Sequence, residues 1–598
     1  MSRFHRFAIG ASFAVSAACT IAAPSAPTAA DRLYLHGVVF TADTRHPTAE
    51  AVAVRDGRIA YVGSDADAAA YRGPTTQTVD LARKFLMPGI IDGHMHPLQA
   101  GTVMLKCNLN YDALTVAQLQ QRVQKCLDES PSGDDAWLEV VNWFQESMLP
   151  PGVKTSHATL DVLRTKRPIV VRSSFGHSVL ANSRAMALAN ITAKTPDPVG
   201  GKIQRDANGD PTGVLEDSAF VVFETLIPKP TAADDVVAAN AALDAMSAQG
   251  VTSFLDAIAP PGDLAAFSAV HAAGKLKARA HFAVPITPPE AADPAAAIAK
   301  VVASAKQYDG GAIGAAPSIT VRNAKLFLDG VIAAPALTGA MREPYRTNAG
   351  TAEHPNWVPG TSRGPAVYFQ PEPLAALLIG LGRAGIDPHL HADGDGAVHA
   401  GLDGIAALRK ALPDADIRVA IAHDEIVDPV DYPRFRALGA LPVLSLQWGK
   451  PAGDTLGLVD YFGPQRMARL EPAGVLAAAG ARIAFGSDWP VDRLDEWFAF
   501  KVGVTRTNAP DAPAEYRGRL GDDPGLSREA VLTAATINAA YELHQDDVTG
   551  SIEAGKFADL IVLDRNPLTV PAEDIANVRV LETVVGGVTV YAARPQEP

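Results

Sequence analysis

The sequence predicts an α/β protein: a (β/α)8, TIM-like barrel with a composite β-sandwich drawn from both termini and an inserted α+β segment. Three observations lead there. Short apolar runs alternate with helix-like stretches through the middle of the chain, as in a parallel sheet wound through βα units. The two ends read instead as strands and turns. Histidine, lysine and aspartate close apolar runs from position 94 to position 488, where a barrel would gather them at one mouth.

With 598 residues, 47% of them apolar and 20% charged, the chain is globular and too long for one hydrophobic core. A net charge of −14 argues against nucleic acid or an anionic membrane as partner and leaves a small molecule as the expected one. Residues 1–30 read as a signal peptide: Arg3, His5 and Arg6 precede the apolar stretch Phe7–Ala23, and small residues follow. The expectation is export, to the periplasm or beyond. A membrane anchor fits less well because the stretch is short and rich in Ala and Ser. Cys19 after Ser-Ala-Ala is a poor lipoprotein signal. No later run holds eighteen uninterrupted apolar residues, so no stable membrane insertion is expected. Beyond the leader only Cys107 and Cys126 remain. They could pair in an oxidising compartment, or serve as small buried apolar groups.

In chain order, residues 31–86 form the first part of the sandwich. Asp31–Phe40 alternates, and Ala51–Val62 carries Asp56-Gly57, a hairpin signal. Residues 87–544 are the barrel. Its strands are expected at Phe85–Ile91, Val251–Ala257, Lys277–Val284, Ala324–Ile332, Asp387–Ala392, Arg418–Ala422, Pro442–Gln447 and Arg482–Gly486. Helices are expected at Ala232–Gln249, Ala292–Gln307, Pro373–Ala384, Gly396–Leu412 and Ser527–Leu543. The gap after His96 is too long for one βα step, so an insertion occupies about residues 105–230, with strand-like runs at Ala136–Trp143 and Pro168–Arg172. Residues 545–598 complete the sandwich, with a strand at Ala558–Leu563 and a hairpin over Val578–Tyr591.

His94 and His96 stand two apart at a strand end, so both imidazoles share one face. A lone His-x-His pair is a weak signal; its place after Pro88-Gly89 strengthens it. Lys325 lies in the apolar run Ala324–Gly330, where an ammonium is costly. A salt bridge is the plainer reading, and an amine carboxylated by CO₂ the sharper one. His391 opens His391-Ala-Asp-Gly-Asp395, and His389 shares its face and could substitute for it. His423 ends Val419–His423, and Asp488 follows Ile483–Ser487. Jointly His94, His96, Lys325, His391, His423 and Asp488 read as one metal site, of imidazoles and a carboxylate that together can hold Zn²⁺. Asp488 is the expected general base; a helix N-cap is its alternative use.

These motifs resemble the amidohydrolase superfamily, in its YtcJ-like branch (amidohydrolase family 3). The likeness rests on Leu86–His96, His177-Ser-Val-Leu-Ala-Asn182, Lys325–Gly330, His391–Asp395, Ala422-His423, Gly486-Ser-Asp-Trp-Pro490 and Gly550–Leu560. It implies a barrel with a composite sandwich and a centre of one or two metals. His94 and His96 would hold the more buried ion, a carboxylated Lys325 would bridge two, and His391 with His423 would hold the second. Asp488 would bind the first and act on the water. His177 would be a catalytic or substrate contact and Asn182 a pocket residue or a helix cap. Gly396 stands where branch members often carry arginine, so no substrate contact is expected there.

The expected reaction is hydrolysis of a C–N bond in an amide, formamide or cyclic amide by metal-activated water. Trp143, Phe144, Phe175, Trp448 and Trp489 are candidates for an apolar pocket, though aromatic residues in strands are often core. Two rivals stand beside it: the same centre acting on an ester, lactone or C–C bond or as an isomerase, and a non-enzymatic exported binding or regulatory protein on an inherited scaffold.

Overall fold

A computed structural model describes residues 28–145, 148–150, 152–173, 178–198, 201–334, 336–351 and 353–594. All but the last three residues of the expected signal peptide fall outside that range.

Eight parallel strands form the central sheet: β1 Ile90–Met95, β2 Val251–Asp256, β3 Arg279–Ile286, β4 Ile319–Phe327, β5 Asp387–Ala392, β6 Ala420–His423, β7 Leu441–Leu444 and β8 Ala484–Phe485. They follow one another in space in chain order, and β1 and β8 meet to complete a nearly closed barrel. Three hydrogen bonds join the two edges. Asp488 N–H donates to the His94 carbonyl (2.7 Å), His96 N–H donates to the Trp489 carbonyl (2.7 Å), and Ser487 N–H donates to Asp92 Oδ1 (3.1 Å). The strands are buried on both faces, which explains their near-continuous apolar sequence. Ile91, Leu255, Ala283, Ala422, Val443 and Ala484 fill the interior, and Ala539, Ala540 and Leu543 pack against them. That last helical segment lies under the amino ends of the strands: Arg418 Nη1 donates to the Tyr541 carbonyl, and His544 Nε2 sits 2.8 Å from Asp387 Oδ2.

The helices follow local signals. Ala232–Gln249 begins at Thr231, whose hydroxyl caps Asp234 N–H while Asp234 reaches back, and ends at Gly250 in the left-handed region (φ +94°). Residues 371–383 and 395–411 are also helical within a residue or two of expectation.

The insertion folds as a six-stranded sheet with strands Cys107–Asn108, Leu138–Trp143, Ile169–Ser173, Ser178–Ala181, Gly201–Arg205 and Pro211–Asp217. Cys107 and Cys126 form a disulfide (Cα–Cα 5.7 Å) that ties the first of these strands to the helix Val116–Glu129. Leu119, Val123, Val140 and Val171 are the heart of a core separate from the barrel's.

The sandwich has one four-stranded and one six-stranded sheet. The larger takes Phe85–Pro88, Val38–Phe40 and Thr48–Ala49 from one end of the chain and Leu560–Leu563, Val580–Val585 and Val588–Ala592 from the other. Tyr34, Val52, Leu86 and Val562 pack between the sheets. The run expected as a single barrel strand, Phe85–Ile91, is two: Phe85–Pro88 belongs to the sandwich, and the barrel strand starts at Ile90. Both halves are buried, so hydrophobicity alone does not mark the joint. Arg279 of β3 and Asp559 pin sandwich to barrel through a buried ion pair (2.6 Å). Among the described residues, no helix is long and apolar enough to cross a membrane.

Candidate metal centre

Every barrel strand that supplies a polar residue to the centre does so from its carboxyl end. There the ladder stops and inward side chains are freed from packing. β1 brings His94 and His96, β4 Lys325, β5 His389 and His391, β6 His423, and the turn after β8 Asp488. His96 Nε2 lies 3.0 Å and His94 Nε2 3.4 Å from Asp488 Oδ1. Lys325 Nζ lies 3.3 Å from His94 Nε2. The His94 ring is 4.8 Å from that of His423, which is 4.5 Å from that of His391. His423 (φ +83°) and Asp488 (φ +55°) both take left-handed backbone, which non-glycine residues rarely adopt and which turns their side chains back toward the mouth.

Two groups could each hold a cation: His94, His96 and Asp488, and His391, Asp393 and His423. Within each group the ligand atoms lie within 4.8 Å of one another. The sequence reading misses Asp393. Its signal was the two-residue spacing His389, His391, Asp393, which puts all three on one side of an extended chain.

Burial, reinforced by Lys325, holds His94 well below the usual imidazole range; burial and His391 do the same to His423. His391 is drawn down to about 3, by burial first and Lys325 second. The rings are therefore neutral, the form that ligates metals. His391 Nε2 donates to the Gly330 carbonyl (3.0 Å), which leaves Nδ1 as its lone-pair atom. Burial draws Lys325 down to about 7, against the pull of Asp488 and Asp393, so its amine is available near neutral pH. Asp488 differs: burial opposes its ionisation, but the bond to His96 and the electrostatic surroundings that include Lys325 bring it below the ordinary carboxylate range. Near it lies a cluster of buried acids. Burial raises Asp329 to about 7, raises Glu425 to about 8 with help from Asp454, and raises Asp393 well above normal with help from Glu425.

The remaining predicted residues separate. Trp448 is at the mouth, half-buried, its ring nearly parallel to His423 (5.5 Å, 19°). The Trp489 carbonyl accepts from His96 N–H after β1, and its ring packs in the barrel core. Trp143 is 1% exposed inside the inserted domain. Asn182 caps the helix Ser183–Leu188 by accepting from Ala185 N–H; it also accepts from Ile169 N–H and donates to the Arg167 carbonyl. Both ends of its amide are therefore engaged by backbone. His177 and Phe175 lie outside the described residues.

The amidohydrolase family profile matches residues 77–591. The chain belongs to the amidohydrolase family. N-substituted formamide deformylase of Arthrobacter pascens is 25% identical over 574 residues, 94% of this chain and 98% of its own. YtcJ of Bacillus subtilis (strain 168) is 26% identical over 565 residues, 93% of this chain and 98% of its own. The fold matches a solved structure of an uncharacterized metal-dependent hydrolase from Pyrococcus horikoshii OT3, at a TM-score of 0.68 and 20% identity over 90% of this chain and 99% of that one. This amidohydrolase is thus a hydrolase with His/Asp groups suited to metal, and the residues fit such an ion. Asp393 Oδ1 is buried without a hydrogen-bond partner, 3.5 Å from His391 Nε2. A divalent cation held there would relieve that cost, with Asp393 as a ligand and the clustered acids given a counter-charge.

Proposed function

We propose that this amidohydrolase cleaves a C–N bond of an amide, formamide or cyclic amide, with zinc as its metal. The observation that carries the reading is the juxtaposition of an ionised Asp488 with His96 and a neutral His94 at a buried mouth. A divalent ion held there would acidify a water and polarise the substrate carbonyl. Asp488 takes the proton of the attacking water and delivers it to the departing nitrogen, so that water adds across the bond and acid and amine are released. Trp448 offers a flat apolar wall beside His423 for the substrate's hydrocarbon part. The name of the Arthrobacter pascens relative supports an N-substituted formamide as the first substrate to try.

Three finer assignments belong to the same proposal. Lys325, with its amine drawn to about 7, is suited to react with CO₂ and bridge two cations as a carbamate. His177 is a substrate or oxyanion contact from the inserted domain. The mature enzyme is exported, as its leader suggests.

The test is metal analysis of purified protein together with a panel of N-formyl, N-acyl, lactam and matched ester substrates. Stoichiometric zinc and C–N cleavage abolished by a chelator are expected. Ester turnover alone would overturn the bond assignment, and zinc without any hydrolysis would favour a binding protein.

A further inference from the structure

Behind the metal centre runs a buried polar chain that none of its expected ligands accounts for. His94 turns Nε2 toward Asp488 and Lys325, and its other ring nitrogen, Nδ1, lies 2.8 Å from His389 Nε2. The far nitrogen of His389, Nδ1, lies 3.4 Å from Glu542 Oε1. His389 and Glu542 are both 0% exposed. Glu542 comes from the helical segment Ala539–Glu542 beneath the barrel. It reaches the inner face because residue 93 is glycine: a Cβ there would collide with Glu542 Oε2. Neither Glu542 oxygen nor His389 Nδ1 makes a hydrogen bond among the described residues, so each faces the other at ion-pair distance.

We infer that His389 and Glu542 are positioning residues, not ligands, which hold His94 in the tautomer and orientation that point Nε2 at the cation. The direction of each bond follows from that role. If Nε2 keeps its lone pair for the metal, Nδ1 carries hydrogen and donates to His389 Nε2. His389 Nδ1 then carries the second hydrogen and donates to Glu542 Oε1. Each neutral ring has one nitrogen of each kind, so a lone pair at His94 Nε2 fixes the tautomers of both rings. Outer hydrogen bonds of this kind orient a ligating imidazole and make it more basic, and losing them typically weakens metal binding by about 10–100-fold. His389 therefore does not replace His391 as a ligand.

This inference rests on the metal-centre reading above, and the experiment separates the two. Zinc affinity is measured by competition with a chromophoric chelator for full-length wild type, H94A, H389A, H389Q, E542A and E542Q, with the melting temperature of each metal-free protein alongside. The expectation is a roughly 10–100-fold loss for H389A and E542A, and a smaller loss for E542Q, which keeps an acceptor oxygen. The double variant H389A/E542A should lose no more than the worse single one, because both break one chain. A merely structural role would lower the melting temperature and leave affinity intact. If wild type binds zinc and H94A does not, while folded H389Q and E542Q bind it as wild type does, the positioning role is overturned. If H94A binds as tightly as wild type, the metal centre itself is misassigned.

Discussion

Asp488 stands where three constraints cross. Its amide is tied to β1, its backbone is left-handed, and its carboxylate faces two imidazoles. Asp488→Asn keeps the shape and removes the proton acceptor. Zinc content should stay near wild type while turnover falls by about 10²–10⁴-fold, read by metal analysis and initial rates on one preparation. Near-normal turnover would take Asp488 out of the mechanism. The convergence of His94, His96, Lys325, His391, His423 and Asp488 is legible in sequence because each closes an apolar run, and parallel strands put all such ends on one face. Asp393 and the role of His389 are not. Both hang on which ring nitrogen points where and which oxygen lacks a partner, and composition carries neither. Trp143 makes the same point: an aromatic residue on an alternating strand announces burial without saying in which core.

At the scale of elements, the helix Pro261–Ala272 presents a titrating contact to the end of β2. Asp263, in its first turn, is hydrogen-bonded to the buried Asp256 at the end of β2. Burial, then the charge of Asp235, raises Asp263 to about 7 from an ordinary 3.8, although the bond to Asp256 works against the shift. For an acid whose folded value is raised, the native state holds a proton that the unfolded chain has released. Stability is then undiminished below the unfolded value and is lost as pH rises from about 4 to about 7. Asp263→Asn removes that loss. Its melting temperature should equal wild type's at pH 4 and exceed it at pH 7–8, and a constant gap across the range would refute the account. Element positions are largely legible: Ala232–Gln249 and Asp387–Ala392 match residue for residue, the helix because its cap and glycine stop are local signals. The joint at Gly89 is not, because sandwich strand and barrel strand are equally apolar and the choice of sheet is made by distant partners.

Over the whole molecule, sandwich and barrel are held together by Arg279 and Asp559, 1% and 3% exposed. Arg279 also donates to the Gly314, Ala315 and Ala316 carbonyls, while Asp559 Oδ1 accepts from Gly586 N–H. Removing one partner of such a pair leaves the other charge buried, at a cost of about 3–5 kcal/mol. Asp559→Ala should lose that much in chemical denaturation, and a loss below 1 kcal/mol would show that water reaches the site. The strand Phe85–Pro88 has a different consequence. It lies between Val38–Phe40, made early, and Leu560–Leu563, made almost last. A nascent chain must therefore carry an open strand edge through nearly the whole of synthesis, and a transcript cut short before codon 560 yields a protein that keeps that edge bare for good. Such fragments are templates for sticking to one another, so for this enzyme a late nonsense mutation is an aggregation mutation.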